Sequence, residues 1–162
     1  MSAESLAPGA AEEPAGRTPQ VTFYVIADAS ASSRLQLACR LAEKAYRAEQ
    51  EVLIWHSDAR ELAVLDDLLW TFGDDRTFLP HEVLSPGSPA QAPVLLSAGV
   101  EPSGTLGVLI NLAPSVPACA ARAARVLEII DGDATRREAG RARFKAYREL
   151  GLAPVSHQLR SH

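Results

Sequence analysis

The sequence predicts an α/β fold in three layers, with a mainly parallel sheet flanked by helices and one domain as the default for 162 residues. Three observations carry this. VTFYVIA at 21–27 is almost continuously apolar and rich in β-branched and aromatic residues, as a strand covered on both faces is. Directly after it the period changes: Leu35, Ala38, Leu41, Ala42, Ala45 and Tyr46 recur at helical spacing with charges between them. EVLIW at 51–55 then restarts the cycle, so the order by residue 70 is βαβα. Crossovers between such strands are right-handed.

Taken in order, residues 1–20 combine Ala, Glu, Pro and Gly with almost no large apolar side chain and are expected to form a disordered tail. Asp28-Ala-Ser-Ala-Ser-Ser supplies turn and cap residues between the first strand and first helix. Ser57 or Asp58 can cap the second helix, which Leu62, Leu65 and Leu69 line before Trp70. A Pro- and Gly-containing stretch from Phe72 to Ala92 is expected as a long loop. PVLLSA and LGVLINLA follow as strands around the turn signal Glu101-Pro-Ser-Gly. Two helices are expected to finish the domain: one from about Val116 to Ile130, broken by Asp131-Gly-Asp, and one from about Ala134 to Leu150, ended by Gly151. The domain is therefore expected over 21–155, with a C-terminal tail at 156–162.

Composition narrows the function. Sixteen Lys and Arg stand against 20 Asp and Glu, for a net charge of −4, which argues against a broad footprint for duplex DNA. No run approaches the roughly 18 apolar residues of a spanning helix, and the N-terminus lacks the pattern of a signal peptide, so a cytoplasmic location without membrane contact is expected. Cys39 and Cys119 lie far apart in apolar contexts and read as small buried residues. His157 and His162 fall in the tail, no His or Cys pair has ligand spacing with a third, and Asp66, Asp67, Asp74 and Asp75 read as a solvated acidic face. No metal or cofactor is expected.

The first strand runs into ADASASS, without the glycines that let backbone approach a phosphate. Asp28, Ser30, His56, Asp58 and His81 are the reactive side chains near strand ends, where α/β folds place ligands. Asp28, Ser30 and Asp58 are also what turns and helix caps require, His56 follows a strand singly, and no nucleophile motif such as G-x-S-x-G appears, so caps and turns are the favoured reading. A small α/β nucleotide-binding protein or enzyme using Asp28, Ser30 and His56 is the alternative reading.

Two stretches are less ordinary. LLWTFGDDRTFLPHEV carries Trp70, Phe72 and Phe78 at a helix end and in a loop, where they serve either as core or as a protein-binding patch. RARFKAYREL gathers cations: on a helix Arg137, Arg141, Lys145 and Arg148 share one stripe without interleaved acids, and Phe144 borders it. Like charges at that spacing repel, so the stripe suggests an anionic partner, such as a peptide with acidic residues and an apolar carboxy-terminal side chain. Single-stranded DNA is a weaker candidate, since only two aromatics lie nearby.

VTFYVI, LACRLAEKAYR, LLWTF with FLPH, and RFKAYRELG, in that order across about 21–155, resemble the chi subunit family of bacterial DNA polymerase III holoenzyme. The resemblance implies a Rossmann-like fold without nucleotide binding or catalysis. It also implies a heterodimer with the psi subunit, linkage through psi to the clamp loader, and recognition of the acidic C-terminal tail of single-stranded DNA-binding protein. Contact with nucleic acid is then indirect. By position, the family's tail-binding residues fall on Arg141, Lys145 and Arg148, with Phe144 where the family commonly has Tyr and Ile130 as an apolar wall at the end of the preceding helix. Its psi-facing surface corresponds to Trp70 and Phe78, a surface that a repair helicase is also expected to use.

Overall fold

The computed structural model describes residues 18–71, 79–87 and 90–159. Its strands are β1 (Gln20–Val25), β2 (Val52–His56), β3 (His81–Val83), β4 (Val94–Ala98), β5 (Leu106–Asn111), β6 (Ala123–Ile130) and β7 (Val155–Gln158). Helices α1 (Ala31–Arg47), α2 (Ala59–Thr71) and α3 (Ala134–Glu149) complete the fold, with a 3₁₀ turn at Ala118–Arg122. The seven strands form one sheet in the order β3-β4-β2-β5-β6-β1-β7, and every pairing is parallel.

Register explains the apolar runs. Val21, Val126, Leu109 and Leu53 lie side by side across four strands and face α3, while Leu127, Ile110, Ile54 and Leu96 form the adjacent row and face α1 and α2. A strand covered on both faces has no polar position to alternate with, and all five residues of β2 are buried. The caps fall where the sequence puts them. Ser30 Oγ accepts from the Ser33 amide at 3.1 Å to open α1, Asp58 accepts from Arg60 at 2.9 Å to open α2, and Gly151 at φ 88° ends α3.

Three expectations need correction. Val116–Ile130 is not a helix: after the 3₁₀ turn it is β6, a central strand. The alanines of ACAARAARVLEII favour a helix locally, but the β-branched Val126 and Ile129, on opposite faces of the strand between β5 and β1, are both buried, and tertiary burial outweighs propensity. The long loop also contains the edge strand β3, so the FLPH stretch runs into sheet at His81. At the other edge the expected C-terminal tail begins as β7, with Thr22–Val25 aligned to Val155–Gln158. The expected disordered tail lies outside the described residues up to position 17, while Gln20 already belongs to β1.

A fully buried carboxylate ties α3 to the sheet. Glu128, in the middle of β6, accepts from Asn111 Nδ2 at 2.9 Å, Arg143 Nε at 2.8 Å and the Tyr147 hydroxyl at 2.6 Å. Burial raises its pKa, opposed first by the charge of Arg143 and then by the bonds from Tyr147 and Asn111. Burial likewise pushes the Tyr147 hydroxyl up, reinforced by the carboxylate it faces. Removing one partner from such a cluster strands the other charge out of water. Arg143→Met should therefore lower unfolding free energy by about 3–5 kcal/mol, read as the shift of the urea midpoint.

Candidate functional site

Helix α3 is fixed at its start by a short, closed loop. Asp133 accepts from the Arg136 amide at 2.9 Å as the N-cap, and buried Asp131 holds the Arg136 side chain through contacts of 3.1 and 2.7 Å. A Cβ on Gly132 would come within 2.2 Å of the Ala27 carbonyl oxygen, so only glycine lets the loops after β1 and β6 touch. From this start, Gly140, Arg143 and Tyr147 turn inward, and Arg141, Lys145 and Arg148 turn outward.

Between the outward face of α3 and the sheet edge lies an open groove of about 780 Å³. Its floor is Phe23, Val25, Ile130 and Ser156, from three adjacent strands, and its wall is Gly140, Arg141, Phe144, Lys145, Arg148 and Glu149. All five residues expected at the basic site, Ile130, Arg141, Phe144, Lys145 and Arg148, thus meet in one concavity. Ile130 arrives there from the end of strand β6 rather than from a helix. Phe144 is half-buried, its ring tilted against Phe23 at a centroid distance of 5.1 Å, so one face packs on the core while its rim lines the groove.

The charge pattern is less pure than the spacing implied. Glu138 pairs with Arg141 at 2.9 Å, but both side chains are largely exposed, so the pair is weak. Arg137 lies outside the groove lining, whereas Glu149 lies within it. Three cations therefore face one carboxylate, and among the described residues Lys145 and Arg148 have no ion pair. A groove with an apolar floor and a cationic wall suits an extended anionic chain that also carries an apolar group.

The second expected surface lies at the other edge of the sheet. Trp70, at the end of α2, is 57% exposed, and its ring leans on His81 of β3 at 4.6 Å between centroids. His81 is buried, with Nδ1 donating to the Leu79 carbonyl at 2.7 Å and Nε2 3.0 Å from an Asp66 oxygen. Phe72 and Phe78 lie outside the described residues, as do Asp74 and Asp75. Six strand spacings, about 29 Å, separate edge strands β3 and β7.

The residues of the alternative reading do not assemble. Asp28 and Ser30 are engaged in the α1 cap, where Asp28 Oδ1 accepts from the Ser30 amide at 2.9 Å and Oδ2 from the Ser33 hydroxyl at 2.7 Å. Those bonds, that of Ser33 foremost, lower the Asp28 pKa. His56 Nδ1 accepts from the Ser57 and Asp58 amides, which leaves Nε2 to donate to Glu61; Arg34 pairs with the same carboxylate oxygen at 2.6 Å. The small cleft beside His56 includes neither Asp28 nor Ser30 in its lining. Where the loops after β1 and β6 diverge to opposite faces, the Gly132 amide donates to the Asp28 carbonyl at 2.9 Å, so the two loops are tied together there.

Sequence reasoning missed Asn111, Glu128 and Arg143, which position the helix, and Gly140, which lines the groove. The signals were present: a lone Glu inside VLEII, and Arg143 four residues before Tyr147 on the inner face.

The family model described as DNA polymerase III chi subunit, HolC, matches residues 19–155. The protein named DNA polymerase III subunit chi from Pseudomonas aeruginosa is 39% identical over 140 residues, covering 86% of this chain and 96% of that protein. The proteins of the same name from Escherichia coli and Haemophilus influenzae are 28% and 24% identical, over 81% and 80% of this chain and 92% and 90% of theirs.

The cluster under α2 has a testable acid response. Burial pushes the Glu61 carboxyl up, but the hydrogen bond from His56 and the charge of Arg34 together outweigh it and hold the group below the usual glutamate value. The unfolded chain therefore binds this proton more readily, so the contribution is present above the ordinary glutamate range and is lost as pH falls through the folded value. The stability difference between wild type and Glu61→Gln, from urea unfolding, should be larger at pH 7 than at pH 3.

Proposed function

The chain belongs to the DNA polymerase III chi subunit family, and on that premise we propose that it is a non-catalytic accessory subunit of the holoenzyme. In this reading it links the clamp loader, through a psi subunit, to the C-terminal tail of single-stranded DNA-binding protein during DNA replication. The observation that carries the reading is the convergence of Ile130, Arg141, Phe144, Lys145 and Arg148 in one groove, from the end of β6 and the helix α3 that follows it.

The division of labour follows from the residue types. Acidic side chains of the tail meet Arg141, Lys145 and Arg148, and its terminal apolar side chain packs on Phe144 and Ile130. Phe144 offers a ring edge without a hydroxyl, so contact at that position is by packing alone. All three cations are exposed, and surface charge pairs weaken once the Debye length falls to about 8 Å, so the contact is modest in affinity and declines with salt. An encounter of this kind is fast and readily reversed.

The psi-binding role falls to Trp70, at the opposite edge, and to Phe78, beyond the end of α2 in sequence and outside the described residues. An exposed tryptophan is the side chain type that most often anchors an interface. A repair helicase competing for that surface fits the same chemistry. With an edge-to-edge separation of about 29 Å, a change at one site leaves the other unaltered.

Two measurements test this. Arg141→Glu should cost well over 1 kcal/mol in calorimetric titration with the tail peptide, with a reduced salt dependence, while psi still co-purifies. Wild-type affinity in that variant would defeat the assignment. Trp70→Ala and Phe78→Ala should each cost about 2 kcal/mol or more in psi binding and leave tail affinity unchanged. A folded pair of variants that both retain psi would place that interface elsewhere.

A further inference from the structure

Gly140 occupies an unusual place. It is buried in the middle of α3, where glycine is intrinsically unfavourable, so its presence calls for a steric reason. That reason is Ile130. A Cβ at position 140 would lie 2.5 Å from Ile130 Cδ1 and 2.9 Å from Cγ1, both far inside contact distance, whereas the next nearest atom, on Arg143, is 3.6 Å away. The conflict is thus confined to one flexible side chain, and both residues of the pair line the groove.

The missing methyl at 140 lets the end of Ile130 tuck under the helix. Behind Ile130 the core beneath α3 is packed with Phe23, Val126 and Tyr147, and close-packed interiors do not yield to an extra methyl. In front of it the groove is open. A side chain added at 140 therefore turns Ile130 outward and fills the groove at its apolar end.

We propose that Gly140 is a specificity-determining residue of the groove: together with Ile130 it sets how large an apolar carboxy-terminal side chain an acidic peptide can seat there. This rests on the peptide-binding reading above and adds which dimension of the ligand is selected and by what. The cationic wall fixes preference for acidic residues, and the Gly140–Ile130 pair fixes preference for the size of the final one. Ile130→Val deletes Cδ1, the closer of the two atoms in conflict, and the shorter side chain left behind has room to shift, so it relieves most of the crowding from a methyl gained at 140.

The test is calorimetric titration of the full chain with two acidic peptides that differ only in ending in Phe or Ala. Wild type should favour the Phe peptide. Gly140→Ala should weaken the Phe peptide by about tenfold, the scale of one methylene misplaced in an apolar pocket, and leave the Ala peptide unchanged; adding Ile130→Val should restore the preference. An unchanged preference in Gly140→Ala, an equal loss for both peptides, or no rescue in a double variant with wild-type thermal unfolding would each overturn the proposal. Wild type binding neither peptide would instead remove the peptide-binding reading itself. Alanine favours helix over glycine, so the variant is expected to fold. If it does not, Ile130→Val alone carries the test: it deepens the groove and must shift preference toward a peptide ending in Trp, and failure to do so refutes the size-setting role.

Discussion

The buried carboxylate of Glu128 is the constraint on which the rest of this structure depends. A charge inside a sheet is tolerated only with its hydrogen-bonding capacity filled, and here the donors come from two separate elements, Asn111 on β5 and Arg143 and Tyr147 on α3, converging on β6. Apolar packing of a helix on a sheet accepts many small slides and rotations. A carboxylate holding a guanidinium at 2.8 Å and a phenol at 2.6 Å accepts very few. Once Arg143 and Tyr147 are pinned inward, helical geometry leaves Arg141, Lys145 and Arg148 no direction but outward.

The groove follows from that register. Position 144 sits between the inward and outward faces, so its ring is shared between the core beneath and the concavity beside it. Ser156, aligned with Phe23 on the outermost strand, supplies a small side chain where a larger one would fill the concavity. Gly140 removes a further methyl at the opposite end. The groove is therefore the region where four elements, β6, β1, β7 and α3, meet and none supplies enough volume to close the gap.

An apolar floor and a cationic wall divide affinity from speed. Exposed cations accelerate encounter and respond to salt, while the buried part of the ligand decides which partner stays. The surface around Trp70 has the other balance, an exposed aromatic ring backed by a buried histidine. The groove and the Trp70 surface thus differ in physical character and lie toward opposite edges of one sheet.

The sequence by itself determined the α/β class, the strands rich in β-branched residues, the helices α1, α2 and α3 with caps expected within 28–33 and at Ser57 or Asp58 and a stop at Gly151, and a cationic stripe whose Arg141, Lys145 and Arg148 line the groove. Each of these depends on local chemistry: period, cap and charge are written within a few residues of where they act. Only the tertiary structure decided that Ala123–Ile130 is the central strand β6, because an alanine-rich stretch followed by VLEII is locally ambiguous and its neighbours on both faces resolve it. The same holds for β3 and β7, short segments that become strands only because an existing edge offers them a partner. It holds for the groove too. Phe23, Ile130, Gly140 and Ser156 lie up to 133 positions apart in the chain, and their shared surface depends on a strand order that no local pattern encodes.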